Sequence, residues 1–259
     1  MGEPRGVLLD IDGVLTVSWE ALPGAVETIA WLRRAPLPFR LITNTTTHTR
    51  RDLAATLRAA GFDVGPREIV TAVVATASYL QAHHPGAGVF VLSDGDAGED
   101  LEGIALSDLD EADVVVLGGA GEDFTYAAMN RIFRRLTEGA TLVGMHRNLY
   151  WRTSDGWRLD GGAYIAGLEE ATGRAAAICG KPAAAFFEEA LRLLDVPADR
   201  AVMVGDDLVN DVLGAQAAGV TGALVRTGKF LPGDLERGDG EPHHVLDSIA
   251  DLPGWLGRG

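Results

Sequence analysis

The 259-residue chain has a single cysteine, Cys179, so no intramolecular disulfide staples it and its fold must rest on a hydrophobic core. The run Ala175–Cys179 reads as a buried apolar strand, which makes this thiol a structural one. Long apolar runs are missing too: none approaches the roughly 18 to 20 residues of a membrane-spanning helix. Residues 1–5 lack the basic, apolar and cleavage regions of a signal peptide, and a cytoplasmic location is expected. Lysine is scarce. Only Lys181 and Lys229 stand among 22 basic residues, against 37 acidic ones, for a net charge of −15. Such a surface repels nucleic acid and membranes, so neither is an expected partner, and any anionic substrate needs a local cation.

What is present is the composition of a folded globular chain, 47% hydrophobic and 23% charged. Gly6–Asp10 is a continuous apolar run ending in acid, as expected of a strand buried on both faces of a parallel sheet. Pro23-Gly24 introduces a helix over Ala25–Arg34, and Phe39–Thr43 reads as the next strand. From about Thr71 the alternation restarts: a helix through Leu80, strands at Val89–Leu92 and Val114–Leu117, a helix over Tyr126–Leu136 and a strand at Thr141–Met145. Leu149–Thr153 and Trp157–Leu159 form a hairpin around Ser154-Asp155-Gly156, and Ala163–Thr172 a helix. Pro182 suits the first turn of a helix carrying Phe186, Phe187, Ala190, Leu191 and Leu194 inward. Strand Ala201–Val204, helix Asp211–Ala218 and strand Gly222–Arg226 follow. The expected architecture is α/β, a doubly wound parallel sheet with a smaller α/β insertion: core at 1–71 and 179–259, cap at 72–178.

Three clusters follow apolar strands: Asp10-Ile11-Asp12-Gly13, Thr43-Asn44, and Gly205-Asp206-Asp207 through Asp211; Lys181 precedes a helix. Open α/β sheets bind ligands outside the carboxyl ends of their strands, where these clusters would converge. Carboxylates brought together repel one another unless a cation lies between them, and Mg²⁺, which favours oxygen donors, is the natural occupant.

Asp10-Ile-Asp-Gly-Val-Leu-Thr16 resembles the first motif of the haloacid dehalogenase (HAD) superfamily; Thr43-Asn44, Lys181 in Gly180-Lys181-Pro182, and Gly205-Asp206-Asp207-Leu-Val-Asn-Asp211 match the other three, in order. Few residues separate Thr16 from Gly24, whereas a long stretch separates Asn44 from Lys181, so the cap lies between motifs two and three. That placement resembles the NagD-like and 4-nitrophenylphosphatase-like subgroup over almost the whole chain. Ile42–Thr46, Gly180–Pro182, the Gly205-Asp206-Asp207 stretch and Val225–Lys229 look like the branch of HAD-like hydrolase domain-containing protein two and phospholysine phosphohistidine inorganic pyrophosphate phosphatase. Some members of those branches carry a non-acidic residue where Asp12 stands here.

The resemblance implies Mg²⁺-dependent hydrolysis of a small phosphorylated substrate, a phosphomonoester, phosphoramidate or pyrophosphate, through an aspartyl-phosphate. Asp10 would be the nucleophile and Asp12 the general acid, then base. Thr43, Asn44 and Lys181 would hold the phosphoryl oxygens. Asp10, the Asp12 backbone carbonyl and Asp206 would coordinate Mg²⁺, with Asp211 orienting a ligand behind them. Asp207 either joins them or caps the following helix, the cap being favoured. In the related cap type a loop in the region of His146, Arg147 and Asn148 faces the active site, making these candidate leaving-group contacts, and a homodimer through the cap is compatible with the family. Gly161-Gly162-Ala163 either lets cap backbone approach the core or enters the next helix. The pairs His83-His84 and His243-His244 lack companions for a zinc site, and Asp94-Gly95-Asp96 lacks the glycine of a calcium loop. Two other readings compete: a non-catalytic phosphometabolite sensor that keeps the pocket, and a haloacid dehalogenase, a chemistry that does not need Asp12.

Overall fold

Four largely apolar strands, Gly6–Asp10, Phe39–Thr43, Ala201–Gly205 and Thr221–Val225, lie side by side at the centre of a six-stranded parallel sheet in the computed structural model. The structure describes residues 4–35, 37–96, 98–153, 156–236 and 240–257. The strand order is His244–Leu246, Thr221–Val225, Ala201–Gly205, Gly6–Asp10, Phe39–Thr43, Ile69–Thr71. From Gly6–Asp10 the chain winds outward one way, and from Ala201–Gly205 it winds outward the other. The winding therefore reverses between these two strands, and the crevice beside their carboxyl ends is where such sheets bind ligands. Leu9 pairs in register with Val204 and Asp10 with Ile42, so Asp10, Thr43 and Asp206 leave their strands at one edge.

The chain divides into two compact units, one of residues 1–43, 50–70 and 181–259, the other of residues 44–49 and 71–180. The core of the first gathers Val7, Leu9, Leu41, Val204 and Val225 from the strands with Ile29, Leu32, Leu53 and Leu57 from the helices Ala25–Arg34 and Arg50–Ala59. Removing these apolar side chains from water stabilises the unit by about 1.5–3 kcal/mol for each fully buried Val or Leu. The second unit has its own parallel sheet, Ala177–Ile178, Thr141–Gly144, Val114–Leu117, Val89–Leu92, with helices Ala72–His83, Tyr126–Thr137 and Gly161–Thr172. Thr71 Oγ1 and Thr125 Oγ1 cap the first two helices by accepting from the backbone N–H of Val74 and Ala128. Among the described residues no helix is long and apolar enough to cross a membrane.

Several elements differ from the sequence expectation. The strand expected over Ala175–Cys179 shrinks to Ala177–Ile178, half-buried at a sheet edge, although Cys179 itself is fully buried. Burial pushes its thiol up to about 12, against a smaller opposing hydrogen bond from Thr76, as befits an unreactive cysteine. Pro182 is not in a helix: the helix starts at Ala184, and Lys181 and Pro182 form the turn before it. The helix expected from Asp211 begins at Leu208, as a π-turn over Leu208–Leu213 that continues into Gly214–Ala217. The hairpin pairs Tyr150–Thr153 with Gly156–Leu159; Ser154 and Asp155 lie outside the described residues. Gly161 and Gly162 are the first helical residues, and a Cβ on them would stand 1.9 Å from Gly118 O and 2.4 Å from Arg147 O. The glycines thus admit close backbone packing inside their own unit.

Candidate active site

Asp10 ends a fully buried strand and Asp206 directly follows another, so the sheet carries both carboxylates to its edge without a free loop. Asp211 arrives from the π-turn. Asp207 caps that turn, its Oδ1 accepting from the N–H of Val209 at 3.1 Å and of Asn210 at 2.9 Å, which places Asp211 one turn on. Asp211 Oδ2 accepts from the N–H of Asp207 at 3.2 Å. Asp10, Asp206 and Asp211 each offer a carboxylate oxygen within 4.8 Å of the others, the only such acid, His or Cys group among the described residues.

Lys181 is buried with them. Its ammonium donates to Asp10 Oδ1 at 2.5 Å and to Asp211 Oδ1 at 2.6 Å. Burial works against the charge, but the two carboxylates outweigh it and raise the lysine pKa, so Lys181 stays protonated. Burial, then repulsion from Asp211, raises Asp10 well above the usual carboxylate range against the pull of Lys181. Burial takes Asp206 up to about 6, opposed by the hydrogen bond from the Lys229 amide. Three carboxylates face one buried ammonium, leaving a surplus of negative charge. Asp206 Oδ1 is buried with no hydrogen-bond partner among the described residues. A surplus of negative charge, an all-oxygen donor set and an orphaned carboxylate oxygen fit a hard divalent cation.

The other expected residues fall as follows. Asp12 is exposed in the turn after the first strand, where Thr16 bridges to it and the Gly13 N–H donates to Thr16 O at 2.7 Å. Thr43 is buried at its strand end, and Asn44 begins the segment 44–49 that groups with the second unit. His146 is buried in the second unit, its Nε2 3.9 Å from Asp160 Oδ2, and burial lowers its pKa against that carboxylate. Its Nδ1 accepts from the Asn148 N–H at 3.3 Å. Arg147 is ion-paired with Glu169, and Asn148 is exposed. Sequence reasoning missed one participant, the Lys229 backbone N–H, which donates to Asp206 Oδ2 at 2.7 Å. Lys229 stood out as the chain's second lysine and as the end of the Val225–Lys229 stretch, neither of which points to its amide, because an amide contact leaves no side-chain signature.

Comparison with known proteins places this architecture. The family model described as haloacid dehalogenase-like hydrolase matches residues 7–107, and a second, HAD-hydrolase-like, matches 178–252. Haloacid dehalogenase-like hydrolase domain-containing protein 2 of Homo sapiens is 38% identical over 245 residues, covering 95% of this chain and 93% of that protein. Phospholysine phosphohistidine inorganic pyrophosphate phosphatase of Rattus norvegicus is 38% identical over 253 residues, covering 95% and 92%. The p-nitrophenyl phosphatase from Archaeoglobus fulgidus superposes with a TM-score of 0.91 at 29% identity, over 98% of this chain and 100% of that one. NagD from the E. coli K-12 strain does so at 0.88 and 28%, over 96% and 98%. The chain belongs to the haloacid dehalogenase-like hydrolases. Within them it falls in the NagD-like subgroup, and it is a phosphohydrolase.

Proposed function

We propose that the protein is a Mg²⁺-dependent phosphatase that hydrolyses a small phosphorylated metabolite through an aspartyl-phosphate on Asp10. The observation that carries this reading is the buried ammonium of Lys181 between Asp10 and Asp211, beside Asp206, at the point where the sheet's winding reverses. Asp10 attacks phosphorus with one carboxylate oxygen, its strand holding it in line. The exposed carboxyl of Asp12 protonates the leaving atom and then takes a proton from the water that cleaves the acyl-phosphate. Thr43, the Asn44 amide and Lys181 hold the phosphoryl oxygens, and Lys181 offsets their charge. Asp10, the Asp12 carbonyl and Asp206 would hold Mg²⁺, with Asp211 behind them, fastened to Lys181 and to the Asp207 amide. Mg²⁺, when bound, supplies the positive charge that this cluster lacks and polarises the phosphoryl group.

The acid at Asp12 suits leaving groups that need a proton, so alkyl phosphomonoesters come first among substrates, with phosphoramidates and pyrophosphate next. Residues 72–178 act as the cap, and selection of the leaving group is assigned to them. Asn148, exposed, is a better candidate contact there than His146 or Arg147, which are engaged inside their own unit. Asp10→Asn is expected to lower turnover of an aryl phosphate by about three orders of magnitude or more with the circular dichroism unchanged. Undiminished turnover in that variant overturns the assigned nucleophile, and full activity in excess chelator overturns the metal requirement. A panel of sugar phosphates, nucleotides, pyrophosphate and phosphohistidine then ranks the substrates.

A further inference from the structure

The loop after strand Thr221–Val225 has no role in the reaction just described, yet it grips two segments that do. The Lys229 N–H donates to Asp206 Oδ2 at 2.7 Å, and Thr227 Oγ1 donates to the carbonyl oxygen of Gly13 at 2.5 Å. Between these contacts Gly228, at φ +61°, lies against Gly13, at φ +84°. A Cβ on either glycine would stand 2.0 Å from Asp206 Oδ2, and one on Gly228 would come within 2.5 Å of Gly13 Cα. Neither position admits another residue: the backbone angles disfavour it, and the space is filled by the carboxylate itself.

We propose that Thr227, Gly228 and the Lys229 amide form a positioning clasp that locks Asp206 against the Asp12-Gly13 turn and thereby sets the affinity for the divalent ion. The clasp rests on the reading of Asp206 and the Asp12 carbonyl as donors to that ion. Those two donors come from different strand ends and would otherwise move independently. Thr227 holds the peptide next to the Asp12 carbonyl, and two residues later the same loop holds the carboxylate. The amide engages Oδ2, so the oxygen left for an ion is Oδ1, the buried atom without a hydrogen-bond partner among the described residues. Outer groups that fix ligand orientation in this way change metal affinity by about 10–100-fold when removed.

The test measures Mg²⁺ and Mn²⁺ binding to the full chain by calorimetry, beside the Mg²⁺ concentration giving half-maximal activity. Thr227→Val should weaken binding about 10-fold and raise the Mg²⁺ requirement equally, with the rate at saturating Mg²⁺ within about twofold of wild type. Thr227→Ser, which keeps the hydroxyl, should restore both. Gly228→Ala should lose more, and if it fails to fold the Thr227 pair still decides. Asp206→Asn is the reference variant, and its binding should be lost. Wild-type binding by Thr227→Val, with Asp206→Asn defective, overturns the clasp alone. Loss in Thr227→Ser equal to that in Thr227→Val also overturns it, because packing and not the hydroxyl would then matter. Wild-type binding by Asp206→Asn overturns the ligand assignment underneath.

Discussion

In the six-stranded sheet, buried strands run straight into Asp10 and Asp206, and the carboxylates at that edge outnumber the ammonium beside them. In the four-stranded sheet, Val114–Leu117 is just as buried but runs into Gly118 and Gly119, and Thr141–Gly144 into Met145. The second unit buries acids too, Asp100 and Asp160, and ties Asp160 into its backbone: Oδ1 accepts from the N–H of Ala120 at 3.0 Å and of Gly161 at 2.8 Å, capping the helix Gly161–Thr172. Two parallel α/β sheets in one chain thus treat buried charge in opposite ways. A satisfied acid is scaffolding, whereas unsatisfied acids are kept where a ligand is to complete them.

The sharpest way to break this contrast is to remove Lys181, the cation buried among those carboxylates. Lys181→Met leaves Asp10 and Asp211 buried without their partner, and loss of one member of such a pair costs about 3–5 kcal/mol. Hydrogen exchange should locate the loss in strands Gly6–Asp10 and Ala201–Gly205, with Val114–Leu117 unmoved. Added Mg²⁺ should recover part of it, while turnover stays depressed by about 100-fold or more because the phosphoryl oxygens lose their ammonium. A variant as stable as the wild type, or one weakened equally in both sheets, would mean that the charge imbalance at the first edge has no energetic weight.

The imbalance also has a pH signature. Burial raises Asp206 from 3.8 to about 6 in the metal-free fold, so between those values the folded chain holds a proton that the unfolded chain has released. The stability this group contributes is therefore fully present below 3.8 and is lost as pH rises through about 6. It amounts to ~3 kcal/mol. Asp10 is raised as well and adds in the same direction. Denaturant titrations of metal-free wild type and Asp206→Asn from pH 4 upward should diverge, the variant gaining relative to wild type as pH rises. Parallel curves would show that Asp206 carries no burial penalty. Mg²⁺ should flatten the wild-type curve, because binding releases the same proton.

How much of this was legible in the sequence follows from where each signal resides. Strands buried on both faces are mostly apolar, so Gly6–Asp10 and Ala201–Gly205 read directly and Phe39–Thr43 did so despite Arg40, and the acids at the ends of the first two marked the edge where the structure assembles the cluster. The edge strands Ile69–Thr71 and His244–Leu246 have three residues each, too short for any pattern, and were not anticipated. Pro182 fits a helix start on propensity alone, but it belongs to the turn that carries Lys181 toward the carboxylates, and tertiary contacts decide that turn. Asp207 was readable as a cap, but the π-turn that it starts, and that sets Asp211 facing Lys181, was not. The Thr227–Lys229 loop ends the Val225–Lys229 stretch that carried the resemblance, but its contacts run through the Thr227 hydroxyl, a backbone amide and the lack of side chains at Gly13 and Gly228, and spacing alone reveals none of these.

The smallest effect tests the other half of the contrast. Asp160→Ala removes the cap of helix Gly161–Thr172 and strands the Ala120 amide, which should cost about 1–2 kcal/mol by urea denaturation. Asp160→Asn keeps an accepting oxygen and should recover most of that loss, because the acid here serves as a hydrogen-bond acceptor and its charge is incidental. Neither change touches Asp10, Lys181 or Asp206, so hydrolysis of an aryl phosphate and its Mg²⁺ requirement should hold at wild-type values while stability falls. A Mg²⁺ requirement that shifted with Asp160 would show this buried acid to be coupled to the reaction after all, and the division between a saturated and an unsaturated sheet edge would no longer separate scaffold from site.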